Sequence, residues 1–195
     1  MKRVEIQGRR RLLDGFFKVD EVEVAFERFD GTMAGPVRRL IAERGDSAAA
    51  VVFDPSAGLL LFAEQFRFPT VEKGPGWLLE LIAGSVDDGE TPDAAIRREM
   101  EEELGYRAGH VEPIATFYVS PGGTSERVWL YYVETTDEGR IAGGGGVANE
   151  GEDISVVAMT PEAARAALLA GRIADAKTII GLQWLFFQRR ANQED

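Results

Sequence analysis

Residues 84–106, GSVDDGETPDAAIRREMEEELGY, restrict the fold of this chain more than any other stretch. Thr91-Pro92-Asp93 offers a capping hydroxyl and a proline at the first helical position, and Gly105 a C-terminal stop, so the segment between them is predicted to be helical. On that helix Glu99, Glu102 and Glu103 fall at i, i+3 and i+4, which puts their carboxylates on one face, where like charges repel. A positive charge is expected among them. Oxygen ligands at this density suit a hard divalent ion, Mg²⁺ or Mn²⁺, whose remaining positions go to water and a substrate phosphate. The other reading is an exposed acidic helix paired to Arg97 and Arg98, with Arg98 reaching Glu102 at i,i+4.

Around this helix the hydrophobic pattern alternates between strands and helices. Residues 19–29 (VDEVEVAFERF) and, more loosely, 37–43 (VRRLIAE) alternate apolar and polar across an Asp30-Gly31 turn, which predicts a small antiparallel N-terminal sheet. AAAVVF (48–53) and LLLFAEQF (59–66) flank Asp54-Pro55-Ser56-Ala57-Gly58 and read as a buried hairpin. Further strands are expected at 76–84, 113–119, 126–134 and 153–158, and helices at 160–170 and 173–190. Four consecutive glycines at 143–146 predict a mobile loop. Trp77, Trp129 and Trp184 stand in apolar runs and read as core or interface aromatics, and His110 as a surface-turn residue. A chain of 195 residues is one domain, or a core domain with a small extra sheet.

Charge and composition narrow the chemistry. Thirty-three acids against 22 bases leave a net charge of −11, a field that repels nucleic acid, so any phosphorylated ligand must be met locally by arginines or by cations held on carboxylates. With no cysteine and only His110 as imidazole, thiolate metal sites and cysteine nucleophiles are excluded, and carboxylates become the default acid–base groups. No long apolar run and no apolar segment behind the basic N-terminus are visible, so a membrane span and a secretory signal are not expected and a cytoplasmic protein is.

The spacing of Gly84, Glu90, Arg98, Glu99, Met100, Glu102, Glu103, Gly105 and Tyr106 resembles the Nudix box, Gly-x5-Glu-x7-Arg-Glu-U-x-Glu-Glu-x-Gly-U, where U is a bulky apolar residue. All seven fixed positions match, and only Tyr106 departs, standing where an aliphatic is more usual. The resemblance implies an α/β (α+β) fold, a Nudix α/β/α sandwich around a mixed sheet, and hydrolysis of a nucleoside diphosphate linked to another moiety. It also implies divalent metal, Mg²⁺ with Mn²⁺ as the other candidate, on Glu99, Glu102, Glu103 and the backbone carbonyl of Ala83, while Glu90 and Arg98 brace the loop against the helix.

Gly15-Phe16-Phe17, Val37-Arg38-Arg39, Ala42-Glu43-Arg44-Gly45, Glu64-Gln65-Phe66-Arg67, the run 120–127 (SPGGTSER) and the run 148–153 (ANEGED) are similar, in this order, to one Nudix subfamily, the ADP-ribose pyrophosphatases. This resemblance implies conversion of ADP-ribose to AMP and ribose 5-phosphate. It assigns Glu150 as general base, Glu152 as a further metal ligand, and Phe16, Phe17, Arg39, Arg44, Arg67, Ser85, Ser120 and Glu126 to substrate. It further implies a homodimer with shared active sites, the aromatic pair reaching the partner's adenine, and an N-terminal β subdomain over 1–45 ahead of a hydrolase domain over 46–195. Hydrolysis of another nucleoside diphosphate sugar such as GDP-mannose is the nearest alternative, and a non-catalytic ADP-ribose sensor is a further one.

Overall fold

The computed structural model describes residues 1–147 and 151–191, the side chains of 136–138 and 188–191 excepted. They form two units, Met1–Asp46 with Tyr118–Arg127, and Ser47–Phe117 with Val128 onward.

In the first unit β1 (Val4–Asp14), β2 (Lys18–Glu27) and β3 (Met33–Glu43) make an antiparallel sheet in the order β1-β2-β3. The sequence reading contained β2 and β3 but not β1. Nearly all of β1 is exposed, so its basic run carries no burial-driven alternation to read. Its pairing is visible in the side chains: Asp20 on β2 is buried, and Arg9 Nε and Arg11 Nε donate to it at 2.7 and 2.5 Å, holding its carboxyl below the usual range. Segment 118–127 joins this unit where Ala42 N donates to Gly123 O at 2.8 Å and Arg127 Nη2 meets Asp46 Oδ2 at 2.5 Å.

The second unit is built on β4 (Ser47–Asp54), β5 (Leu59–Phe66), β6 (Trp77–Glu80), β7 (Ile82–Ser85), β8 (Tyr106–Tyr118), β9 (Arg127–Arg140) and β10 (Ile154–Met159). Its order is β10-β5-β4-β9-β8, with β6 on β5 and β7 on β4. β4 runs parallel to β9 and antiparallel to β5, which makes the sheet mixed. The β4–β5 turn forms as expected, Asp54 Oδ1 accepting from Ser56 N at 2.9 Å and Ala57 N at 3.2 Å, while Gly58 takes the left-handed φ of 68°.

Helix α1 (Pro92–Glu99) lies against one face of the sheet, and α2 (Pro161–Leu169) and α3 (Ala176–Ala191) against the other. β4 shows why its sequence is unbroken apolar: Ala48, Ala50 and Val52 pack with Ile96 and Met100, whereas Ala49 and Val51 pack with Ala164 and Leu182. α3 approaches closely at Gly181, where a Cβ would fall 2.7 Å from Val51 and 2.8 Å from Leu81. The α/β/α sandwich is therefore present.

Two elements depart from the sequence reading. The single strand expected at 76–84 is split at Leu81, whose N–H leaves the ladder and donates to Thr178 Oγ1 of α3 at 2.8 Å. His110 lies within β8 rather than in a turn. Of the tryptophans, Trp129 and Trp184 pack against the core, and Trp77 is 60% exposed, tilted on Phe66 with ring centroids 4.9 Å apart.

Candidate active site

The loop and helix of residues 84–105 build the site locally. Thr91 Oγ1 accepts from Ala94 N at 3.3 Å, Pro92 begins α1, and Asp93 sits in its first turn. After Glu99 the helix widens into one π-helical turn, Met100–Leu104, which Gly105 closes at a φ of 76°. Ile96, Met100 and Leu104 anchor the inner face in the core. Glu99 and Glu103 are thereby drawn under cover, at 8% and 2% exposure, while Glu102 is half-buried.

Arg98 links these groups. It donates to both carboxylate oxygens of Glu90 at 3.2 and 3.1 Å, through Nη1 to Glu99 Oε1 at 2.6 Å and Glu102 Oε2 at 3.0 Å, and through Nη2 to Ser85 O at 3.0 Å. Glu90 also accepts from Asp87 N at 3.1 Å, so this pair ties the loop to the helix and Glu90 is held below the usual carboxylate range. Burial pushes Glu99 up, and pushes Glu103 up to about 8, aided by the neighbouring charges of Glu99 and Glu152. Glu103 accepts from Ala83 N at 3.4 Å, and Glu152 from Val147 N at 2.9 Å.

Glu99, Glu102, Glu103 and Glu152 thus outnumber the one arginine bonded among them, and two are buried. Among the described residues no three of these groups converge into a coordination shell, and Arg98 bonds both Glu99 and Glu102. The donor set nevertheless fits a hard divalent cation: all oxygen, mutually repelling, and short of positive charge. Ala83, whose carbonyl was expected to complete it, sits in β7 paired with Ala49. Glu150 lies outside the described residues.

The glycine run packs on the end of the carboxylate helix. Gly145 N donates to Glu103 O at 2.8 Å and Gly146 N to Glu102 O at 3.1 Å, satisfying carbonyls that the helix end leaves open. A Cβ on Gly144 would meet the Leu104 and Glu103 backbone at 2.6 to 2.7 Å, so glycine is needed for close approach.

Arg67, at the end of β5, is close enough to Glu103 for their charges to interact, and it grips Glu80 through Nε at 2.8 Å and Nη2 at 3.1 Å. Within this unit the structure therefore gathers Ala83, Ser85, Glu99, Glu102, Glu103, Glu152 and Arg67. Sequence reasoning missed Glu80 and its partner Lys177. The available signal was an acid alone in the apolar run GWLLELIAG.

In the first unit, Arg39 and loop residues 121–125 line one groove with Val22, Val24 and Ile41. Arg44 Nη1 faces Glu126 Oε1 at 3.8 Å, and the Ser120 carbonyl accepts from Gly123 N and Thr124 N, both at 3.0 Å, shaping the loop. Phe16 and Phe17, between β1 and β2, are 78% and 47% exposed and meet edge to face at 5.0 Å.

A NUDIX domain matches residues 43–180, spanning the carboxylate helix and its supporting sheet. The chain belongs to the Nudix family. This Nudix chain is 38% identical over 189 residues to the ADP-ribose pyrophosphatase of Escherichia coli strain K12, covering 96% of itself and 90% of that protein. It is 35% identical over 187 residues to the ADP-ribose pyrophosphatase of Haemophilus influenzae, covering 93% and 85%. To the GDP-mannose pyrophosphatase of Pectobacterium atrosepticum it is 36% identical over 182 residues, covering 92% of each. Among solved structures, one described as an ADP compounds hydrolase superposes with a TM-score of 0.73 over 97% of this chain and 96% of that one at 17% identity, which supports the Nudix fold.

Proposed function

We infer that this Nudix enzyme is a pyrophosphohydrolase that cleaves ADP-ribose with water to AMP and ribose 5-phosphate. The observation that carries the reading is the face of Glu99, Glu102 and Glu103, two of them buried, with Arg67 nearby and a near-full-length likeness to ADP-ribose pyrophosphatases. Glu99, Glu102, Glu103, Glu152 and the Ala83 carbonyl would hold divalent metal, Mg²⁺ in the first place and Mn²⁺ in the second. When bound, the metal neutralises charge that builds on the pyrophosphate oxygens in the transition state. Arg67 orients the phosphates, Glu90 and Arg98 keep loop and helix in register, and Glu150 takes the proton of the attacking water. A carboxylate in this role agrees with a chain that has no cysteine and a single histidine, His110, within β8.

Arg39, Arg44, Ser85, Ser120 and Glu126 are assigned to the remainder of the substrate, and Phe16 and Phe17 to the adenine of a partner subunit's site. The exposed rings of Phe16 and Phe17, with Val4, Ile6 and Leu40 also exposed on the same unit, support a homodimer. We keep residues 1–45 as the subdomain serving dimerisation and substrate, ahead of a hydrolase domain from 46. A chain without cysteine suits a reducing, cytoplasmic setting. No described helix is long and apolar enough to cross a membrane.

The test is a panel of nucleotide sugars with enzyme and Mg²⁺, products separated by chromatography. ADP-ribose should turn over fastest. Preference for GDP-mannose, the reading favoured by the Pectobacterium relative, would replace the substrate assignment and leave the chemistry. Binding of ADP-ribose without turnover of any substrate would favour the sensor.

A further inference from the structure

Behind the carboxylate face, the second unit buries a charged chain that the proposed chemistry does not itself use. Glu80, at the end of β6, is 2% exposed. Arg67 grips it from one side, and from the other Lys177 Nζ of α3 donates to Glu80 Oε2 at 2.5 Å. Lys177 Nζ lies 3.1 Å from Asp175 Oδ1, Asp175 Oδ2 accepts from Thr178 N at 2.9 Å and Thr178 Oγ1 at 2.5 Å, and Thr178 Oγ1 accepts from Leu81 N at 2.8 Å. The chain therefore ends on the residue after Glu80, and every member is fixed by a neighbour.

This arrangement is costlier than an apolar one of the same size, since buried ions lose hydration that pairing only partly offsets. It sets two properties of Arg67. A guanidinium whose Nε and Nη2 are engaged by one buried carboxylate has a fixed plane, and among the described residues no acceptor bonds its Nη1 end. A second cation on that carboxylate also keeps Glu80 from cancelling the arginine's field. Arg67 stands within electrostatic reach of Glu103, where phosphate is expected.

We propose that Glu80 and Lys177 are positioning residues for substrate: together they hold Arg67 with its Nη1 end presented to a phosphate oxygen of a nucleoside diphosphate. The inference rests on the pyrophosphohydrolase reading above. Because Glu80 and Lys177 act through Arg67, their loss should weaken binding and largely spare the chemical step.

The experiment measures kcat and KM for ADP-ribose with Mg²⁺, and the calorimetric Kd of an analogue with a methylene-bridged diphosphate, for wild type, Glu80→Gln, Lys177→Met, Arg67→Ala and the pairings of the first two with Arg67→Ala. Glu80→Gln should raise KM and Kd about tenfold and Lys177→Met about threefold, with kcat within about threefold of wild type, and either should add less than about twofold once Arg67 is alanine. Unchanged KM and Kd in the single variants, or full multiplication in the Arg67→Ala background, overturns the proposal. If a melting curve shows Glu80→Gln unfolded, Lys177→Met and its pairing with Arg67→Ala decide by the same criteria. Wild-type protein that cleaves no nucleotide sugar would refute the underlying reading instead, so the two failures are distinguishable.

Discussion

The Glu99 carboxylate lies against the backbone of Gly84 so tightly that a Cβ on Gly84 would fall 1.7 Å from Glu99 Oε1. The first glycine of the loop is thus a space left for a carboxylate from the helix. Gly84→Ala should displace Glu99 and lower kcat at least about tenfold, with a melting midpoint within a few degrees of wild type. A fully active Gly84→Ala enzyme would mean that Glu99 need not sit there.

Glu103 presents the opposite balance of stability and function. Glu99→Gln and Glu103→Gln should each lower kcat by at least roughly 100-fold, as loss of a charged ligand predicts. In chelator, however, Glu103→Gln should melt no lower than wild type, because glutamine spares the folded state the proton uptake that burial and the nearby Glu99 and Glu152 impose on this carboxyl. Near-normal turnover at saturating Mg²⁺ would remove Glu103 from the metal set.

The contact of the glycine run with the helix end can be read by hydrogen exchange. The Gly145 and Gly146 amides, bonded to Glu103 O and Glu102 O, should be protected in ligand-free protein, and Gly144→Ala should abolish that protection. The same substitution should reduce kcat, because Glu152 accepts from Val147 N directly after the run. Glu150→Gln should slow chemistry while sparing metal and substrate affinity, whereas metal loss with turnover restored by added metal would exchange its role with that of Glu152.

Acid stability should depend on Glu80. Burial raises its proton affinity, but Arg67 and Lys177 outweigh burial, so the folded protein holds this carboxyl below its ordinary value. The unfolded chain then binds the proton more readily, and the contribution is whole above the unfolded pKa of about 4.3 and is lost as pH falls through the folded one. Melting curves between about pH 7 and about pH 3 should show a smaller acid-induced drop for Glu80→Gln, from a lower starting midpoint. Parallel curves for the two proteins would contradict the sign.

A mixing experiment tests the shared site. Phe16→Ala/Phe17→Ala should weaken ADP-ribose binding by a few kcal/mol at most, the order of lost aromatic contacts, without loss of metal affinity. Co-refolded with Glu103→Gln, it should regain activity at low substrate, because one site of each heterodimer combines both intact parts. No recovery with heterodimers demonstrably present would confine the aromatic pair to its own chain.

What sequence alone determined was local. The Thr91 cap, Pro92 and Gly105 delimit the helix within one segment, and the spacing of Glu99, Glu102 and Glu103 places them on a common face under α-helical geometry. The continuous apolar run of β4 likewise announces burial on both sides. Tertiary structure decided whatever required a distant partner. The expected single strand breaks at Leu81 because Thr178, 97 positions later, takes its N–H. β1 is held by its antiparallel ladder with β2, across which Arg9 and Arg11 meet Asp20, although nothing in its own pattern marks a strand. Glu80 reads as an anomaly in an apolar run until Arg67 and Lys177 close on it. Hydrophobic period and capping chemistry act over a few residues and leave a trace in the sequence, whereas the pairing of buried charges depends on which surfaces the finished fold brings together.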